Sequence, residues 1–141
     1  MIFRDLESND FNKDYLKLLE QLTEVNPEKI TFNDFTKFVN NLNYKHRIIV
    51  VEINNKIVAS GTLLIENKII HGISKIAHIE DIVVDKSTRG TGLGKQLVNF
   101  LSNLAKYNEC YKVILNCKES NIGFYEKCGF EKKEVEMVKY F

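Results

Sequence analysis

The sequence has one proline, three cysteines, no long apolar run and almost no net charge. Each scarcity excludes something. The longest uninterrupted apolar stretch, Ile48 to Val51, is four residues, against the ~20 that a membrane-spanning helix needs. The first ten residues, MIFRDLESND, carry no apolar core of the kind a secretory signal requires. With 20 basic and 19 acidic side chains the formal net charge is +1, which gives no electrostatic footprint for nucleic acid or an anionic membrane. Cys110, Cys117 and Cys128 leave one thiol unpaired in any disulfide scheme and form no C-x-x-C pair. They read as reduced thiols of a cytosolic protein. No repeat, low-complexity tract or linker divides the chain. It is expected to form one domain, 1–141, large enough to bury roughly 70% of the surface its unfolded chain exposes.

What is present is an alternation of helical and strand periods. Residues 1–6 predict a short strand. Asn9 or Asp10 then caps a helix with Phe11, Tyr15, Leu18, Leu19 and Leu22 on one face. A second helix starts at Thr31, with Asp34 completing a capping box. His46 to Ile53 is a β-branched run, Asn54-Asn55 a turn that tolerates positive φ, and Lys56 to Glu66 the returning strand. Asn67 is expected to turn the chain into a further strand, Lys68 to Ile73. Ile76 to Val84 follows, its even-numbered residues sharing one face, so that His78 and Glu80 point one way and Asp81 the other. Leu93, Leu97, Phe100, Leu101 and Leu104 mark a helix. Cys110 to Cys117 reads as a strand, 119–128 as a short helix stopped by Gly129, and the tail from Phe130 as a last strand. The pattern is that of a mixed α/β sheet.

Three of the seven glycines fall within Arg89-Gly90-Thr91-Gly92-Leu93-Gly94-Lys95, where a β-rich run ends and a helical stripe begins. Lacking Cβ, such a loop turns tightly and brings backbone N–H groups against a ligand. Those groups open a helix, whose N-terminus favours anions, and two cations flank them. The Walker pattern fails because Arg89 stands where its first glycine belongs and Gln96 follows Lys95. The dinucleotide pattern fails because the glycines are spaced two and two.

The loop, preceded by HIEDIVV (78–84), resembles the acetyl-CoA loop of the GNAT acetyltransferase superfamily. Further segments follow in the same order: Leu22-Thr23, GTLLIENKIIH (61–71), CYKVILNC (110–117) and NIGFYEKCGF (121–130). Together they resemble the branch of that superfamily that acetylates the 2-amino group of glucosamine 6-phosphate. The resemblance implies a GNAT fold: a mixed central β-sheet flanked by helices and splayed at the acetyl-CoA-binding strand. It implies acetyl-CoA as cosubstrate, no metal, no covalent enzyme intermediate and a homodimer whose chains share the sugar site, the last strand exchanged across the interface.

Residue by residue, the resemblance places the backbone of Ile82, Val83 and Val84 on the thioester and pantetheine, and Arg89, Gly90, Thr91, Gly92, Leu93, Gly94 and Lys95 on the pyrophosphate. Asn121 and Tyr125 would contact CoA, Tyr125 donating a proton to the leaving thiolate. Glu80 and Asp81 would contact the sugar, with Glu80 accepting from or orienting the amine. Thr23, Lys68, Ile69, Ile70, His71, Tyr111 and Lys112 match the substrate segments. The two anionic ligands imply that Lys68, Arg89, Lys95 and Lys112 gather at one cleft. Two departures stand out. Asn116 occupies a catalytic position at which some relatives carry an acidic residue; if that carboxylate helps deprotonate or align the amine, Asn116 can only accept through its amide oxygen and the work shifts to Glu80 or a backbone carbonyl. The tail ends Lys139-Tyr140-Phe141, where relatives place an arginine near the phosphate. Acetylation of another amine (a polyamine, an aminoglycoside or a protein N-terminus) and a non-catalytic acyl-CoA-binding module are the competing readings. A metal site from His71, His78 and Glu80 is disfavoured by their spacing on different strands.

Overall fold

The computed structural model describes all 141 residues. Five strands lie in the order β1 (Ile2–Asp5), β2 (His46–Ile53), β3 (Lys56–Lys68), β4 (Ser74–Val84) and β5 (Lys112–Ile114). The first four are antiparallel neighbours, and β5 runs parallel to β4. Asn54 and Asn55 both adopt positive φ, as the β2–β3 hairpin demands.

Helices cover both faces. α1 (Tyr15–Leu19) and α2 (Phe32–Asn40) close one side, where Leu6, Tyr15, Leu18, Phe35, Ile48, Val50, Ile57 and Val83 form one core. α4 (Leu93–Tyr107) packs on the other through Leu93, Leu97, Val98, Leu101 and Ala105. Its repeat of four residues sets these side chains on one stripe. α5 (Ile122–Glu126) follows β5, and Gly129 at φ +90° ends the turn after it.

Several expectations change. The first helix is broken: a 3₁₀ turn over Ser8–Asn12 is followed by Asp14 in the left-handed region, and only then α1. Glu7, and neither Asn9 nor Asp10, occupies the cap position, because the Asp10 carboxylate is turned inward. Lys68 to Ile73 is no strand. β3 runs on to Lys68, and α3 (Ile70–Ile73), a single turn with His71, Gly72 and Ile73 at positive φ, leads into β4. Strand Cys110 to Cys117 shrinks to three residues, and the tail from Phe130 pairs with nothing in its own chain. Val135, Met137 and Tyr140 there are more than 80% exposed. The outer edge of β5 is therefore open.

One more change matters most for the site. Ser60 pairs with Val83, yet Thr62 pairs with Glu80. One residue of β3, Gly61, thus faces two of β4, Asp81 and Ile82. This is a β-bulge with Asp81 at φ +53°. The extra residue inverts the side-chain alternation. Ala77 and Ile79 face α4 before the bulge, whereas Ile82 and Val84 face it afterwards and Val83 joins the opposite core. Even-numbered residues of β4 consequently do not share one face. Gly61 is what admits this: a Cβ there would lie 2.5 Å from Ile82 Cδ1 and 2.8 Å from Leu101 Cδ1.

A charge knot fastens β1 to β2 and the first turn. Arg4 grips both oxygens of the fully buried Asp10 at 2.7 and 2.8 Å and also donates to Glu52, while Lys13 Nζ lies 2.8 Å from Glu52 Oε1. The second Asp10 oxygen accepts from the Glu7 amide. Removing one partner of such a buried pair strands the other's charge. Asp10→Ala is therefore expected to cost about 3 kcal/mol or more of unfolding free energy in urea denaturation, whereas Glu7→Ala, at the exposed fringe, costs under about 1 kcal/mol.

Candidate active site

β4 and β5 pair only from Ile76–Lys112 to His78–Ile114. Beyond that the strands part, and Ile79–Val84 has no neighbour on its β5 side. Extending the register by two would set Asn116 opposite Glu80; the ladder stops short, so the two residues flank an opening. Backbone N–H and C=O groups of β4 beyond the bulge are thereby left for a ligand.

The glycine-rich loop closes one end of this opening. Gly90 and Gly92 stand at φ +81° and +83°, and Gly92 caps α4. The N–H groups of Leu93, Gly94 and Lys95 begin a helix of 15 residues and have no intrahelical acceptor. That is an anion-binding geometry. Gly94 also permits close approach, since a Cβ would lie 3.2 Å from the Phe124 ring and 3.5 Å from Val84 Cγ2. The loop is held from below. Asp85 Oδ1 accepts from the Ser87 N–H and hydroxyl, Thr91 Oγ1 donates to Thr88 O, and Gln21 Oε1 accepts from the Lys86 N–H. Arg89 Nε donates to Val84 O at 3.1 Å, which ties this cation to the strand end.

Tyr125, on α5, is half-buried against Phe124 and Phe130 at centroid distances of 4.9 and 6.1 Å. Burial, then the neighbouring Cys117 and Cys128, hold its phenol above the ordinary value, so that it stays a neutral proton donor. Asn121 lies at the N-cap of α5. Cys110 and Cys128 are half-buried beside the α4 core, Cys117 is exposed, and all three are free.

On the α1/α2 side a cleft of about 330 Å³ has apolar walls, including Leu16, Leu19, Leu22 and Phe38. Thr23 and Asp81 line it together with Tyr15, Ser60 and Thr62. Tyr15 is pushed up to about 12 by burial, with Asp81 adding to the rise, and its hydroxyl accepts a long 3.4 Å bond from Ser60 Oγ. Because Thr62 is its cross-strand partner, Glu80 projects from this face as well. The bulge thus gathers Glu80 and Asp81 on one side, against the expected opposition. Burial, followed by the Asp81 charge, raises the Glu80 carboxyl above its usual range; Glu136 adds to the rise and His78 opposes it.

The remaining residues lie elsewhere. Lys68, Ile69, Ile70 and His71 form the β3–β4 turn, where Lys68 pairs with Ser74. Tyr111 stacks on His71 at 4.6 Å and 22°, and Lys112 pairs with Ile76. From Ser74 to Glu80 is six residues, ~20 Å of strand. Lys68 and Lys112 therefore sit at one end of β4 and Arg89 with Lys95 at the other, and the four cations do not gather at one cleft. No cluster of three or more His, Cys, Asp or Glu stands at ligating distance; His78 is engaged by Glu66.

Residue periodicity missed Gly61, Tyr15, Gln21 and Asp85 as parts of the site. For Asp85 a signal existed: Asp-x-Ser beside the glycine run is the spacing of a side chain that caps its own turn.

The profile of the Acetyltransferase (GNAT) family matches residues 5–130. The chain belongs to the GNAT acetyltransferase family. Its relatives narrow the class. The chain is 43% identical to the glucosamine 6-phosphate N-acetyltransferase of Candida albicans, over 99% of its own length and 95% of that protein's. It is 41% identical to glucosamine 6-phosphate N-acetyltransferase 1 of Dictyostelium discoideum, with 98% and 89% covered. The crystal structure of glucosamine-6-phosphate N-acetyltransferase from Arabidopsis thaliana superposes with a TM-score of 0.95 at 41% identity, covering 99% of this chain and 97% of that one.

The buried Asp85 carboxylate, paired with Lys56 Nζ at 2.8 Å, is lowered from 3.8 to about 2, first by that ion pair and then by the Ser87 amide. A depressed carboxylate stabilises the fold above its unfolded value, and this contribution disappears as pH falls from about 4 toward 2. Lys56→Met is expected to lower stability at neutral pH and to flatten its decline between pH 4 and 2, read from urea midpoints across that range.

Proposed function

We propose that the chain transfers the acetyl group of acetyl-CoA to the 2-amino group of D-glucosamine 6-phosphate, giving N-acetylglucosamine 6-phosphate and CoA, a step toward UDP-N-acetylglucosamine. The observation that carries this reading is near-full-length identity of 43% and 41% to enzymes of that name. The geometry is consistent with it. The whole chain, 1–141, acts as one catalytic domain in the cytoplasm, with no metal and with neither nucleic acid nor membrane as partner.

The chemistry is direct attack in a ternary complex. The amide groups of Leu93, Gly94 and Lys95, with the turns at Gly90, Thr91 and Gly92, hold the pyrophosphate, and Arg89 stiffens the loop against β4. The opened edge of Ile82, Val83 and Val84 pairs with the pantetheine and holds the thioester carbonyl, where the oxyanion develops. Asn121 contacts CoA. Asp81 and Thr23 line the acceptor cleft, and Glu80 meets the amine. As the C–N bond forms and the C–S bond breaks, Tyr125 protonates the departing thiolate. Asn116, across the opening from Glu80, accepts a hydrogen bond through its amide oxygen and cannot take the proton.

Lys68, Ile69, Ile70 and His71 lie at the far end of β4, ~20 Å along the strand from Glu80 of the same chain, and Tyr111 and Lys112 stand toward that end. This separation supports a homodimer in which each chain lends its β3–β4 turn to the other's cleft. The exposed Ile69 and Ile73, the open edge of β5 and the unpaired apolar tail are surfaces such a pairing would cover.

Release of CoA thiol is expected with glucosamine 6-phosphate, at a kcat/KM roughly 100-fold or more above that for glucosamine or spermidine. Equal rates with and without the 6-phosphate would overturn the assignment. Tyr125→Phe is expected to lower kcat roughly 100-fold while acetyl-CoA binding, measured by calorimetry, stays within about twofold.

A further inference from the structure

The proposed reaction leaves one proton to be cleared. When the sugar nitrogen bonds to the acetyl carbon and the C–S bond breaks, the amine surrenders a proton. Asn116 offers no carboxylate for it. Glu80 can take it but must lose it again before the next turnover, beside the like charge of Asp81.

The β3–β4 hairpin holds an unassigned group at the right place. His78 stands two positions before Glu80 on the same face, ahead of the bulge, so the two are ~6.6 Å apart along the strand. Its Nε2 lies 3.0 Å from Glu66 Oε1, and Lys68 Nζ lies 3.3 Å from Glu66 Oε2. A carboxylate only accepts, so Nε2 carries the hydrogen, and Nδ1 has no hydrogen-bond partner inside the chain; Nδ1 accepts when the ring is neutral and donates when it is charged. The His78 side chain is 28% exposed, open to water while one strand position pair away from the half-buried Glu80.

We propose that His78, oriented by Glu66, is a positioning residue that keeps Glu80 in its proton-accepting form and passes the acetylation proton from Glu80 to solvent. This rests on the acetyl-transfer reading above. The proton moves from the sugar amine to Glu80, from Glu80 through water to Nδ1 of the neutral ring, and from the ring to bulk water; no oxidant or further reactant is needed. The charged and titratable groups about Glu80 are Asp81 and His78 on β4 and Glu136 from the tail, while β3 presents the uncharged Thr62. Among these only His78 can be positive, and its effect on the Glu80 carboxyl is opposite to that of the other two. Glu66 and Lys68 act through it.

The test is His78→Gln, which preserves a donor toward Glu66, beside Glu66→Gln and His78→Ala. Three results are expected for His78→Gln: kcat falls roughly tenfold or more with the KM for acetyl-CoA unchanged, the acid limb of kcat moves to higher pH, and the Glu80 carboxyl titrates at higher pH by ¹³C NMR in the ligand-free protein. Imidazole in the buffer restores part of the kcat of His78→Ala. A Glu80 titration that does not move, or a loss of activity with an unshifted pH profile and no imidazole rescue, overturns the proposal and leaves His78 as a hairpin salt bridge. The NMR titration needs no acceptor. Absence of turnover by the wild-type protein on glucosamine 6-phosphate would therefore strike the proposed reaction alone.

Discussion

One extra residue in β4 governs what the rest of the molecule can do. Because Gly61 faces both Asp81 and Ile82, the strand turns over at that point, and a side chain that would have clashed with a Cβ fills the space above the glycine. The strand leaves the β5 ladder close by, after His78. Three consequences follow from this stretch of chain: a free backbone edge, two adjacent carboxylates on one face with Asp81 in its cleft, and an apolar seal of Ile82 and Val84 against α4. Each would be absent from an unbroken strand, whose alternation would bury every second residue and spend every amide on its neighbour.

The glycine loop depends on that edge in turn. Val84 supplies the carbonyl that fixes Arg89 and the methyl that meets Gly94, so strand end and helix start form one rigid corner. Phe124 leans on the same corner, and Tyr125 is its neighbour in sequence. Tyr125 and the amide-lined start of α4 are thus set by shared packing contacts, with the Asp85–Lys56 pair holding the corner to β3 and the Gln21 side chain tying it to the turn after α1.

How much of this was legible in the sequence follows the range of the forces involved. The Thr31–Asp34 capping box, the Asn54-Asn55 turn and the stripe of α4 are local, and residues within four positions decide them. The glycine loop was legible because its spacing is unusual and its neighbours strengthen it. The bulge was not, since a register shift is decided between strands: HIEDIVV alternates cleanly when read alone, and only the partner Gly61 reveals the fault. The broken first helix has the same origin. Phe11, Tyr15 and Leu18 keep helical spacing, but the burial of Asp10 against Arg4 pulls the chain out of the helix at Asp14. The tail from Phe130 alternates like a strand and finds no partner in its own chain, and a pattern of alternation cannot say from where a partner comes.

The charge knot at Arg4, Asp10, Lys13 and Glu52 has a consequence for how this protein can vary. It makes the first thirteen residues a fastener for the wall of the cleft on the α1/α2 face, and losing any one member leaves the charge of its partners uncompensated. The last dozen residues carry no comparable bond within the chain. The two ends therefore stand under unequal constraint: the amino-terminal segment is locked by coordinated charge, and the carboxyl-terminal segment is free to drift unless something outside the chain holds it.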